Sequence, residues 1–156
     1  MFRKILITIL FLPLLTNCGF EVINRSNIEQ FDINQITTSG DRRINFRIKE
    51  RLKFAKSEND KKLVNINLNT KKTKSVKERN IKNEITKYQL NIIADVNLYL
   101  IAEDKSLQFK VSESGEFSVK SIHSKTIFNE KKTLKILSEN ISDKIIEEIT
   151  IKLNDL

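Results

Sequence analysis

Residues 86–102 set the pattern: Tyr88, Leu90, Ile92, Ala94, Val96, Leu98, Leu100 and Ala102 alternate without a miss. Period two puts all of them on one side of a strand, as expected of a long strand in an antiparallel sheet with one covered face. Three other segments read as strands. Phe31, Ile33 and Ile36 mark a first one, ended by Ser39-Gly40. Leu63, Val64, Ile66 and Leu68 mark a second, and the very polar stretch 70–83 after it reads as the loop or ragged tip of a hairpin. Residues 107–128 read as a further long strand or pair of strands, with Phe109, Val111, Phe117 and Val119 in alternation and a bulge or bend at Ser114-Gly115.

Two stretches change period. In residues 41–56, Ile44, Ile48, Leu52 and Ala55 fall on one helical face behind Asp41, a good N-cap, with Phe46 and Phe54 flanking the stripe. After a polar turn at 129–132, Leu134, Leu137, Ile141, Ile145, Ile149 and Leu153 share a face that Ile136, Ile146 and Ile151 broaden. The predicted order is β-α-β-β-β-α. The fold class is α+β, a two-layer sandwich with two helices on a mostly antiparallel sheet of about four strands.

The N-terminus follows a different logic. Arg3 and Lys4 precede an apolar run, Ile5 to Leu15, of about 11 residues, against the roughly 20 that span a bilayer as a helix. That layout predicts an export signal over residues 1–17 and not a permanent membrane helix. Leu15-Thr16-Asn17-Cys18 is similar to the bacterial lipobox, although Asn17 stands where a small residue is usual. Cys18 is the only Cys, so no intrachain disulfide forms, and acylation explains a lone exported Cys. Cys18 is therefore the expected lipidation site and the start of a single mature domain, residues 18–156. Acyl chains would hold that domain on a membrane. Gly19 in place of an inner-membrane retention Asp points to the outer membrane.

Composition adds a basic surface. The chain carries +8, and loss of Arg3 and Lys4 with the leader leaves 26 basic against 20 acidic residues, a net +6. Such a surface favours anionic partners, and export argues against nucleic acid. The excess is in Lys, and AT-rich codon use (Lys, Ile, Asn) accounts for it equally well. The charge alone leaves a ligand patch and a solvated surface both open.

Enzyme chemistry has no visible foothold. The one His, His123, sits in a predicted strand without Cys or carboxylate partners at ligand spacing. No Gly-rich phosphate loop, GxSxG or HExxH occurs. Glu147-Glu148 reads as a solvated helix face. The expectation is no catalytic residue, no metal and no cofactor.

Cys18-Gly19-Phe20, then a strand, a basic amphipathic helix, strands including Tyr88-x-Leu90 and a final helix with Ile141, Ile145, Ile149 and Leu153 together resemble the LptE family of outer-membrane lipoproteins. The resemblance implies a plug inside the barrel of an LptD-like partner, facing periplasm and barrel lumen, that helps place lipopolysaccharide in the outer leaflet and binds it through basic residues. Lys71, Lys72, Lys74, Lys77 and Arg79, with Lys131 and Lys132, are the candidates for lipopolysaccharide phosphates, chosen by charge. A scaffold lipoprotein of the envelope with no glycolipid ligand is the competing expectation.

Overall fold

A computed structural model describes residues 31–53 and 62–155; the predicted leader, Cys18, Phe54 and Ala55 lie outside them. The elements are β1 (Phe31–Gly40), α1 (Arg42–Lys53), β2 (Lys62–Arg79), β3 (Ile85–Leu100), β4 (Lys105–Ser118) and α2 (His123–Asn154). The observed order is β-α-β-β-β-α, and the sheet order is β1-β2-β3-β4. β1 pairs parallel with β2, across the α1 crossover, while β2–β3 and β3–β4 are antiparallel. α1 lies on β1 and β2, α2 lies on β4 and β3, and the helices touch each other.

Alternation decides which side of the sheet is dry. Val64, Ile66, Leu68, Leu90, Ile92, Leu98 and Leu100 turn toward the helices and are buried. Ile44, Ile48 and Leu52 of α1 meet them, as do all six residues of the main α2 stripe. The other face carries mostly polar side chains and no second layer covers it among the described residues.

The β1–α1 corner is tightly specified. Gly40 takes φ +93°, a left-handed conformation that Gly adopts at no steric cost. A Cβ on Gly40 would stand 1.9 Å from the Thr70 carbonyl oxygen. Asp41 then caps α1: its Oδ1 accepts the Arg43 N–H at 3.0 Å and the Ile44 N–H at 3.2 Å. Below the cap, buried Asn45 accepts the Thr70 hydroxyl at 2.7 Å and donates to the Ser39 carbonyl at 2.8 Å. One side chain thus ties the end of β1, the start of α1 and the middle of β2.

Several sequence expectations are corrected. The stretch 70–83 is not mainly loop: β2 runs on to Arg79, because β3 supplies ladder partners for the whole distance. The chain stops being strand at Ser118, so Ile122, His123 and Ile127 belong to α2 or its N-cap, and 129–132 is helix rather than turn. Ser114-Gly115 is no bulge, since the β3–β4 register passes through it unbroken. Gly115 serves packing instead: a Cβ there would meet Leu137 at 3.1 Å and Thr133 at 3.2 Å. Phe46, Ile136 and Ile151 face solvent and do not widen the core.

Candidate functional site

β1 ends at Gly40, opposite Thr70, while β2 continues for another nine residues. Lys71 to Arg79 therefore form a free sheet edge. The predicted basic strip lies along it, which also discourages another strand from pairing there. Alternation then divides the strip. Lys71 and Lys77 project on the uncovered face. Lys72 and Lys74 project on the helix side, opposite buried Ile92 and Leu90.

Most of these cations already face a carboxylate. Lys72 lies 3.5 Å from Asp41, Lys74 2.7 Å from Glu130 and Lys77 3.4 Å from Glu116. Arg79 donates to the Asn83 carbonyl at 2.8 Å. Lys74 is the most constrained, because its Nζ also sits 4.4 Å from the Tyr88 ring centre and 4.9 Å from that of Phe117, two rings stacked 5.5 Å apart. Among the described residues, Lys71, Lys131 and Lys132 have no ion-pair partner. Lys131 and Lys132 follow Glu130 on α2 and are exposed. Both predicted groups thus reach the same half of the molecule, joined by the Lys74–Glu130 pair, but they open on different sides of it.

Burial pushes the Asp41 carboxyl up, yet the Ile44 and Arg43 N–H groups and the Lys72 ammonium outweigh it and hold it below the ordinary 3.8. Nearer the tip, a hydrogen bond and the charge of Lys87 lower Glu78, and Glu78 in return raises Lys87.

The far end of this half was not read from the sequence as a site. The β2–β3 turn is built on Asn80, whose Oδ1 accepts the Lys82 N–H at 2.9 Å and the Glu84 N–H at 3.0 Å. Asn83 closes it at φ +62°. The turn holds Ile81 fully in solvent between Arg79 and Lys82. The Val119 N–H donates to the Thr86 carbonyl at 2.8 Å, which brings the α2 N-terminus to the same end. Ile122 and Phe128 are exposed there, 51% and 66%, with Lys120 and Lys125 nearby in sequence. The only sequence signal for this apolar component was the isolated Ile81 within a polar run.

This fold recurs among bacterial lipoproteins. The chain is similar to the rare lipoprotein B of Shewanella oneidensis, with a TM-score of 0.61 at 14% identity over 78% of this chain and 98% of that one. Lipoprotein B of Nitrosomonas europaea matches with a TM-score of 0.63 at 12% identity, over 87% and 93%. A lipoprotein of Caulobacter crescentus matches with a TM-score of 0.57 at 10% identity, over 84% and 95%. At these identities the likeness concerns the fold. No protein-family model matches the sequence, and no curated protein matches it. Among the described residues no three His, Cys, Asp or Glu side chains gather as a metal site, and no helix is long and apolar enough to cross a membrane.

Proposed function

We propose that this chain is a lipid-anchored lipoprotein of the outer membrane, attached through Cys18, that acts without catalysis. In this reading it plugs and helps assemble an LptD-like barrel and binds lipopolysaccharide in transit. The observation that carries the reading is the joint character of the distal end. Cations without carboxylate partners (Lys71, Lys131 and Lys132 among the described residues) lie along the distal half of the molecule, and exposed Ile81, Ile122 and Phe128 lie toward its end. A glycolipid with phosphates on its head and acyl chains behind it needs both kinds of contact. The fold shared with proteins named lipoprotein B supports the envelope setting, and a largely polar uncovered sheet face suits the polar interior of a barrel.

A structural lipoprotein with no glycolipid ligand remains the second reading, and one observation favours it: Lys72, Lys74 and Lys77 are already engaged with Asp41, Glu130 and Glu116. Pull-down of the acylated protein from outer membranes separates the two. The plug reading expects a large β-barrel protein at equal stoichiometry. It also expects the combined Lys71→Glu, Lys131→Glu and Lys132→Glu variant to lose lipopolysaccharide while keeping the barrel. Absence of a barrel from a fully acylated sample would leave the second reading.

A further inference from the structure

The end of the sheet opposite the β2–β3 turn holds a hollow on the uncovered face, about 150 Å³ in volume. The strand register places its walls in two successive rows. One runs Gln35, Asn65, Tyr99 and Ser106; the next runs Thr37, Asn67 and Asn97, with Ile66 between the two on β2. In a chain with 31% charged residues, neither row contains a charge. Elsewhere the solvated surfaces follow the chain average: the outer side of α2 is rich in Lys and Glu, and the next row on this same face brings in the Asp95–Lys110 ion pair at 3.2 Å. Ordinary solvation therefore does not account for a neutral patch of side-chain amides and hydroxyls.

The groups in the hollow are partly fixed. The Asn97 Oδ1 accepts the Ser106 hydroxyl at 2.6 Å, and the Asn65 Oδ1 accepts the Asn34 amide at 2.9 Å. With both oxygens engaged, the amide NH₂ groups of Asn65 and Asn97 retain donors without partners among the described residues. The Tyr99 hydroxyl is committed to Asp104, which anchors the ring at the rim, 38% exposed. That hydrogen bond also raises the Tyr99 hydroxyl above its ordinary range, so it stays neutral.

We propose that this hollow is a binding subsite for one residue of a neutral saccharide. Uncharged sugar hydroxyls both donate and accept, and side-chain amides and hydroxyls do the same without carrying charge. Adjacent strands stand about 4.8 Å apart, so amides from β1, β2 and β3 converge on one small ring. Tyr99 supplies the apolar surface that the C–H side of a pyranose requires. An anion finds no cation in the lining, a metal ion finds no carboxylate, and an apolar peptide finds only Tyr99 and Ile66, which is itself 1% exposed. The subsite does not depend on the barrel reading and lies at the other end of the sheet from the basic tip.

Saturation-transfer NMR on the full acylated chain in a sugar-free detergent tests it, with maltotriose, lactose and chitotriose as probes. The expected result is transfer to the ring protons of one terminal residue of at least one probe. Asn65→Ala with Asn97→Ala should weaken binding about tenfold or more, given the loss of two hydrogen-bonding groups. The Lys71→Glu, Lys131→Glu, Lys132→Glu variant should bind the sugar as the parent does, whatever becomes of the glycolipid. No transfer from any of the three probes to the parent protein overturns the proposal. So does equal binding by a folded Asn65→Ala, Asn97→Ala variant, or equal loss in the Lys variant. If the double Asn variant does not fold, Ser106→Ala, which frees the Asn97 oxygen without touching the core, serves in its place and should change the affinity.

Discussion

The two halves of the β2–β3 hairpin share one ladder but live in different surroundings. From Lys62 to Thr70, β2 has β1 on one side, β3 on the other and α1 over its apolar face. From Lys71 to Arg79 it has β3 alone as a neighbour in the sheet. In the first half Val64, Ile66 and Leu68 are wholly buried. In the second only the α2 N-terminal region and the Lys74–Tyr88–Phe117 stack cover the helix side. The contrast teaches that one strand can be core at one end and exposed platform at the other, without any break in hydrogen bonding. Stability should then reside in the first half, and the second should tolerate change and be available for contacts.

The largest effect should come from the core. Ile145 is fully buried, so Ile145→Ala should cost about 3–4 kcal/mol, seen as a lower urea midpoint with unchanged slope. Gly40→Ala adds a Cβ against the Thr70 carbonyl at a left-handed φ and should cost about 2–3 kcal/mol; a parent-like midpoint would mean the β1–α1 corner is looser than described. Asn45→Ala leaves the Thr70 hydroxyl and Ser39 carbonyl without their partner, at about 1–3 kcal/mol. In the distal half, Ile81→Ser should change stability by less than about 0.5 kcal/mol, while retention on anionic glycolipid vesicles falls. A drop in stability matching that of Asn45→Ala would erase the contrast between the halves.

The smallest effect is on pH. Asp41 is held below 3.8 in the folded chain, so its contribution is fully present above that value and is lost as pH falls through the lower, folded-state value. Asp41→Asn keeps a competent cap and should flatten the acid limb of the stability profile, measured by urea titration at a series of acidic pH values. An unchanged acid limb would assign that limb to other carboxylates.

Much of the fold was legible because burial enforces period. Tyr88 to Leu100 and Leu134 to Leu153 each meet a continuous apolar surface, and their spacing in the sequence records it. Asp41 and Gly40 were legible for a local reason, one as a cap and the other as a strand stop. Residues 71–79 read as loop because their own side chains, Val76 apart, are polar and carry no alternation. Their strand conformation is imposed by β3 through the backbone, which leaves no mark on side-chain choice. Gly115 reads as a break for a related reason: its lack of a side chain serves α2, a partner distant in sequence. The predicted cations were found by charge alone. Their pairing with Asp41, Glu116 and Glu130 depends on strand parity and on where α2 begins, and neither was available from composition. The neutral rows around Asn65 and Asn97 become visible only once register aligns three strands.

The parallel pairing of β1 also has a consequence for how the chain reaches this state. β2 finds β3 across the short turn at Asn80–Glu84, but Gly40 must find Thr70, 30 residues away. Local closure is the faster event, and each long loop adds an entropic barrier to the slower ones. The first of the described strands is thus the one that waits: a chain emerging N-terminus first holds β1 unpaired until β2 has followed it, and the hairpin forms a template on which β1 and its helix settle last.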